Sequence, residues 1–142
     1  MLIDANLLIY AVDATTPEHR KATQWLTRQL NGDRRVGLPW ESLIAFLRIT
    51  THARAMAQPL RPADAWRFIE DWLAVDLVWV PVATDRHGEV LAGLIERYRV
   101  SANLVPDAHV AALAIEHGLE VCSADTDFAR FTEIRWRNPI AD

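Results

Sequence analysis

Asp4, Glu41, Asp107, Asp125 and Asp127 are the residues of this chain best suited to chemistry. They fall in four separate segments: the opening MLIDANLLIYAVD, then LPWESLIAF, NLVPDAHVAALAIEHG and CSADTDF. In the first segment ten of thirteen residues are apolar, yet Asp4 interrupts the run and Asn6 follows two positions on. Charged side chains are rarely buried without an ion or a partner group. Four or five carboxylates gathered in one place repel one another, and some take up protons unless a cation offsets them. A hard divalent cation such as Mg²⁺ or Mn²⁺ takes oxygen ligands, whereas zinc favours His or Cys. The five histidines (His19, His52, His87, His109 and His117) show no ligand spacing, and most are expected at the surface or in packing. A cation held by acids activates water and stabilises charge on a phosphoryl group, which points to phosphodiester chemistry.

Whether these acids meet depends on the elements that carry them. The chain alternates short β-like runs with helical patterns. Strands are expected at Leu2–Asp4, Arg35–Pro39, Val78–Val82 and Glu120–Ser123, with a short fifth at Ile134–Trp136. Helices are expected at Leu7–Val12, from Thr16-Pro17-Glu18 to Leu30, from Trp40 or Glu41 to Thr51, and from Arg61-Pro62 to Leu73. Two more follow: one capped by Thr84-Asp85 and reaching Tyr98, the other running from Asn103 to His117 and closed by Gly118. Strands alternating with helices imply an α/β fold in three layers, a parallel sheet covered on both faces. With 142 residues and no linker or repeat, one domain over 1–142 is expected.

On this map Asp4 ends the first strand, Glu41 follows the second, and Asp125 and Asp127 follow the fourth. Ligands of open α/β sheets bind outside the carboxyl ends of the strands. Asp107 shares its helical face with Val110, Ala111 and Ala114, and Glu41 shares its own with Ile44 and Ala45, so both are expected on core-facing stripes. Arg48, one turn beyond Glu41, could pair with it. Each acid also has a plainer role. Asp4 and Asn6 suit the turn into a helix, Glu41 and Asp107 suit first helical turns, and Asp125 and Asp127 suit a loop. None of these accounts explains why all the acids share one rim.

Composition excludes little. No apolar run approaches the length of about 20 residues that spans a bilayer, and the start lacks the basic residues of a signal peptide. A single cysteine, Cys122, rules out an intrachain disulfide and a cysteine zinc cluster, and fits a reducing cytoplasm. The net charge of −4 argues against simple coating of nucleic acid. Among the fifteen basic residues only Lys21 is a lysine. Arg suits phosphate and base contacts, though a GC-rich genome gives the same bias. Arg20, Lys21, Arg34 and Arg35 are phosphate-contact candidates, with solvated surface as the alternative. Trp25, Trp66 and Trp72 could serve a partner surface or simply fill the core.

The acids in MLIDANLLIYAVD, RVGLPWESLIAFLRITTH, NLVPDAHVAALAIEHG and CSADTDFARF, with the closing RWRNP, together resemble PIN domains. Within these the chain is similar to VapC-type toxin ribonucleases of bacterial toxin–antitoxin pairs, over nearly its whole length. The resemblance implies a PIN-like sheet of four to five parallel strands between helices, and endoribonuclease activity dependent on Mg²⁺ or Mn²⁺. It implies Asp4, Asp107 and Asp125 as metal ligands, Glu41 as holder of a second metal or its water, Asp127 as helper, and Asn6 as a brace for Asp4. It also implies a homodimer and a VapB-type antitoxin that blocks the site. The expected reaction is hydrolysis of RNA phosphodiester bonds by a metal-activated water. A PIN domain that only binds RNA or protein is the alternative.

Two other classes share the rim of acids. A phosphoryl-receiving signalling module needs a late lysine, and the lone lysine here is Lys21. A phosphatase with an Asp nucleophile needs Asp-x-Asp after the first strand, where this chain has Asp4-Ala5-Asn6.

Overall fold

Alternating apolar residues on the short strands decide the architecture. A computed structural model describes residues 1–141. Its strands are β1 Leu2–Ile3, β2 Val36–Gly37, β3 Val78–Trp79, β4 Val121–Cys122 and β5 Trp136–Arg137. Its helices are α1 Ala5–Val12, α2 His19–Leu30, α3 Trp40–Thr50, α4 Pro62–Leu73, α5 His87–Tyr98 and α6 Leu104–His117, and a 3-10 turn spans Thr126–Arg130. Leu2 and Val121 join a core with Leu94, Ala111, Leu113 and Phe128 beneath α5 and α6. Ile3 and Cys122, one residue further along each strand, join another with Leu8, Trp25, Phe46 and Ile69 from α1 to α4. Successive strand residues point to opposite faces, so the sheet is buried on both sides. The expected three-layer α/β/α fold is present.

All five strands run parallel in the order β3-β2-β1-β4-β5. The chain builds outward from β1 to β3, then returns to place β4 on the other side of β1. The carboxyl ends of β1 and β4 therefore flank the switch in strand order, where such sheets open a crevice. Arg34 and Arg35 precede β2 and so lie at the opposite, amino edge, where the Arg35 guanidinium sits 4.6 Å over the Trp79 ring. That position removes both from the rim that carries the acids.

Several element boundaries differ from expectation, each with a local cause. Asp4 lies outside β1: its Oδ1 accepts the Ala5 N–H at 2.8 Å, so α1 starts at Ala5 instead of Leu7. Asp13 accepts from the Thr15 amide and hydroxyl, and the Thr16 hydroxyl donates to the Asp13 carbonyl, so α2 starts only at His19. Thr84 donates both its N–H and its hydroxyl to Glu116 and accepts the Arg86 N–H at 3.2 Å, and α5 begins at His87. Gly118, at φ 64°, closes α6 as the sequence indicates.

On α3 the buried residues Leu43, Phe46 and Thr50 recur at i, i+3 and i+7, facing α1 and α4. Glu41 and Ile44 fall on the other side, and Ile44 is 52% exposed, which corrects the expected core-facing stripe. Trp25 and Trp72, at 4% and 7% exposure, are core residues and not partner surface. Trp66 remains exposed and stacks on Trp40 with ring centroids 6.4 Å apart. Among the described residues, no helix is long and apolar enough to cross a membrane.

Candidate active site

The loop after β4 and the turn after β1 are tied together by one small hydroxyl. Ser123 is fully buried; its Oγ donates to Asp4 Oδ2 at 2.7 Å and accepts from Asn6 Nδ2 at 2.9 Å. Asn6 Nδ2 also donates to Asp4 Oδ2 at 3.0 Å, and Asn6 Oδ1 accepts the Ala124 N–H at 3.1 Å. The backbone supports the same junction, because Asp4 N–H donates to the Cys122 carbonyl at 3.0 Å. Both oxygens of Asp4 are thus held in place. Burial raises its carboxyl above the ordinary value, the bonds from Ser123 and Ala5 oppose that, and the charge of Asp125 adds to it.

The other acids of the rim come from α6 and the 3-10 turn. Asp125 caps that turn by accepting the Asp127 N–H at 2.8 Å, while its own N–H donates to Ser123 Oγ at 3.0 Å. On α6, Val110, Ala111 and Ala114 are buried as expected and hold Asp107 half-buried above them. Asp107, Asp125 and Asp127 each offer a carboxylate oxygen, and these three atoms lie within 4.8 Å of one another. Burial, then the charges of Asp125, Asp4 and Asp127, push the Asp107 carboxyl up to about 7. A carboxyl raised by three like charges marks a site short of positive charge. The donors are all hard oxygens, a set that fits Mg²⁺ or Mn²⁺ and not zinc.

Glu41 lies outside that trio. Its Oε1 accepts from His109 Nε2 at 2.6 Å, two residues beyond Asp107, and not from Arg48 as the sequence allows. His109 Nδ1 meets His87 Nε2 at 2.8 Å, and His87 Nδ1 donates to Glu116 Oε2 at 2.6 Å. His87 and His109, expected like most of the histidines at the surface or in packing, share this hydrogen-bonded line.

The PIN domain family model matches residues 1–134. The chain belongs to the PIN-domain family. It is 40% identical over 139 residues to Ribonuclease VapC33 of Mycobacterium tuberculosis, covering 98% of this chain and 97% of that protein. Among solved structures, the fold resembles the M. tuberculosis toxin VapC20, which cleaves the sarcin–ricin loop. The TM-score is 0.67 at 20% identity, covering 94% of this chain and 98% of that one. It also resembles DNA-bound VapBC from Salmonella typhimurium, with a TM-score of 0.64 at 17% identity over 97% and 96% of the two chains. At such identities the two structures speak for the fold alone.

In this PIN domain, every acid named from the sequence lies on an element end at the carboxyl rim, with Glu41, at the start of α3, outside the trio and bonded to His109. Reasoning from the sequence missed Ser123, although a small hydroxyl between a strand and an acid pair in CSADTDF is a visible signal. It also missed His109, whose place two residues after Asp107 is a fair clue. Nothing local marks His87 or Glu116, because their partners are 22 and 29 residues apart in the chain.

Proposed function

We propose that this chain is a divalent-metal-dependent endoribonuclease and the toxin of a VapBC-type pair, inhibited by a cognate antitoxin. The convergence of Asp107, Asp125 and Asp127, with Asp4 braced beside them, is the observation that carries this reading. Membership of the PIN family and likeness to a protein named a ribonuclease support it. Asp4, Asp107 and Asp125 are the proposed ligands, with Asp127 assisting. When bound, Mg²⁺ or Mn²⁺ would activate a water and offset charge growing on the RNA phosphoryl group.

The chain's own residues supply position. Ser123 and Asn6 keep Asp4 in one orientation, so the carboxylate need not reorganise when substrate arrives. Asp125 aims one oxygen at the Asp127 amide, which fixes the loop. Glu41, beside the rim, orients water or a second cation. A homodimer and a reducing cytoplasmic setting complete the proposal; the one cysteine, Cys122, is buried and unpaired.

The test is purified protein on total bacterial RNA in Mg²⁺, Mn²⁺ or chelator, with new ends mapped by sequencing and Asp107→Asn run beside it. Discrete cuts that need both metal and Asp107 are expected. A folded protein that cuts nothing in either metal overturns the catalytic reading.

A further inference from the structure

The hydrogen-bonded line from Glu41 to Glu116 joins the two helical layers across the rim. It runs from α3 through His109 on α6 and His87 at the start of α5, then back to Glu116 on α6. Its far end is the unusual part. The Glu116 side chain has no solvent exposure at all, and its carboxylate accepts from Thr84 N–H at 2.8 Å, Thr84 Oγ1 at 2.7 Å and His87 Nδ1. Buried charges are costly unless fully partnered, and apolar replacements of equal volume often serve stability as well or better. Stability alone therefore gives a weak reason for this arrangement.

We propose that His109 and His87 are positioning residues that hold Glu41 in the orientation RNA cleavage needs, through a chain anchored on Glu116. A carboxylate only accepts, so the nitrogens facing Glu41 and Glu116 donate. The central contact, His109 Nδ1 to His87 Nε2 at 2.8 Å, joins the two rings. Both nitrogens of each imidazole are then engaged, and the rings pack edge to face with centroids 4.7 Å apart. Neither ring can flip without breaking two bonds. His109 and Glu116 stand seven residues apart on one face of α6, so a single rigid helix carries both the residue that meets Glu41 and the anchor at the far end. Glu41, by contrast, sits in the first turn of α3 with a side chain 40% exposed. Left alone, a glutamate there samples many rotamers. Fixing its Oε1 removes that freedom before substrate binds.

This inference rests on the reading of Glu41 as part of the cleavage site. It is tested with His109→Gln and the double variant His87→Leu/Glu116→Leu, each alone and combined with Glu41→Gln. Removing His87 and Glu116 together leaves no uncompensated buried charge to threaten the fold. Cleavage of an RNA oligonucleotide is measured in Mg²⁺, and imidazole ¹H–¹⁵N spectra are recorded on the metal-free proteins. Each variant is expected to lower kcat about tenfold to a hundredfold with KM unchanged, the range for a lost supporting partner. On Glu41→Gln neither should lower it further, and Glu41→Gln should shift the His87 resonances as well as those of His109. Effects that multiply on Glu41→Gln, relay variants with wild-type kcat, or unmoved His87 resonances overturn the relay and leave the nuclease reading intact. If Glu41→Gln itself cleaves at the wild-type rate, the assigned role of Glu41 falls and the relay falls with it.

Discussion

At Asp107, partial burial and the charges of Asp125, Asp4 and Asp127 act on one carboxyl and raise it from 3.8 to about 7. Such a group holds its proton more tightly in the folded chain than in the unfolded one. Its contribution to stability is therefore complete below about pH 4 and is lost as pH rises to about 7. In chelator, Asp107→Asn should lessen that decline and raise Tm at pH 8 by about 4 °C, the effect of about 1 kcal/mol in a chain of this size. Thermal melts from pH 4 to 8 check this, and equal slopes for both proteins would refute it. Ser123→Ala should cut cleavage by about tenfold to a hundredfold, because Asp4 and the Asp125 amide lose one shared partner. Initial rates on a defined RNA measure that loss. The acids were legible because their type is rare in apolar runs. Ser123 and His109 were passed over despite their positions, because a lone serine or histidine looks ordinary until its partners are in place.

Among the elements, β2 allows the least change. A Cβ on Gly37 would lie 3.0 Å from the Met1 carbonyl oxygen and 3.0 Å from Pro81 Cγ. Gly37→Ala should therefore destabilise the fold by about 1–3 kcal/mol through overpacking, seen as a lower urea midpoint with unchanged slope. Helix ends marked by local chemistry were read well from sequence, as with Gly118 after α6. Starts that depend on distant partners were misplaced: Thr84 is tied to Glu116, 32 residues away, and α5 starts only at His87. The face of α3 was misread for a similar reason. Helical spacing shows which residues share a side, and only α1 and α4 decide which side is covered.

At the scale of the whole molecule, the strand order brings Asp4 after β1, Asp107 on α6 and the acids after β4 to one rim. A cation that binds this rim and not the unfolded chain must stabilise the fold. At a concentration a hundredfold above its Kd, Mg²⁺ or Mn²⁺ should add about 2.7 kcal/mol, and Asp107→Asn should lose most of that gain. Melts with and without metal at pH 7.5 decide the matter. Light scattering at micromolar concentration should give twice the 16.1 kDa chain mass if the proposed dimer forms.

The sequence by itself determined the layered α/β class, the acids at the strand ends and the small apolar stripe under Asp107. Each follows from periodicity or residue type within a dozen positions. Only the tertiary structure decided that Asp127 joins Asp107 and Asp125, that Ser123 binds Asp4 to Asn6, and that Glu41 meets His109, His87 and Glu116. The bonds from Ser123 span up to 119 residues of chain and exist only because β4 returns to lie beside β1, and the line from Glu41 needs α3, α5 and α6 to meet. Local patterns carry no record of which distant segment will arrive at a given edge.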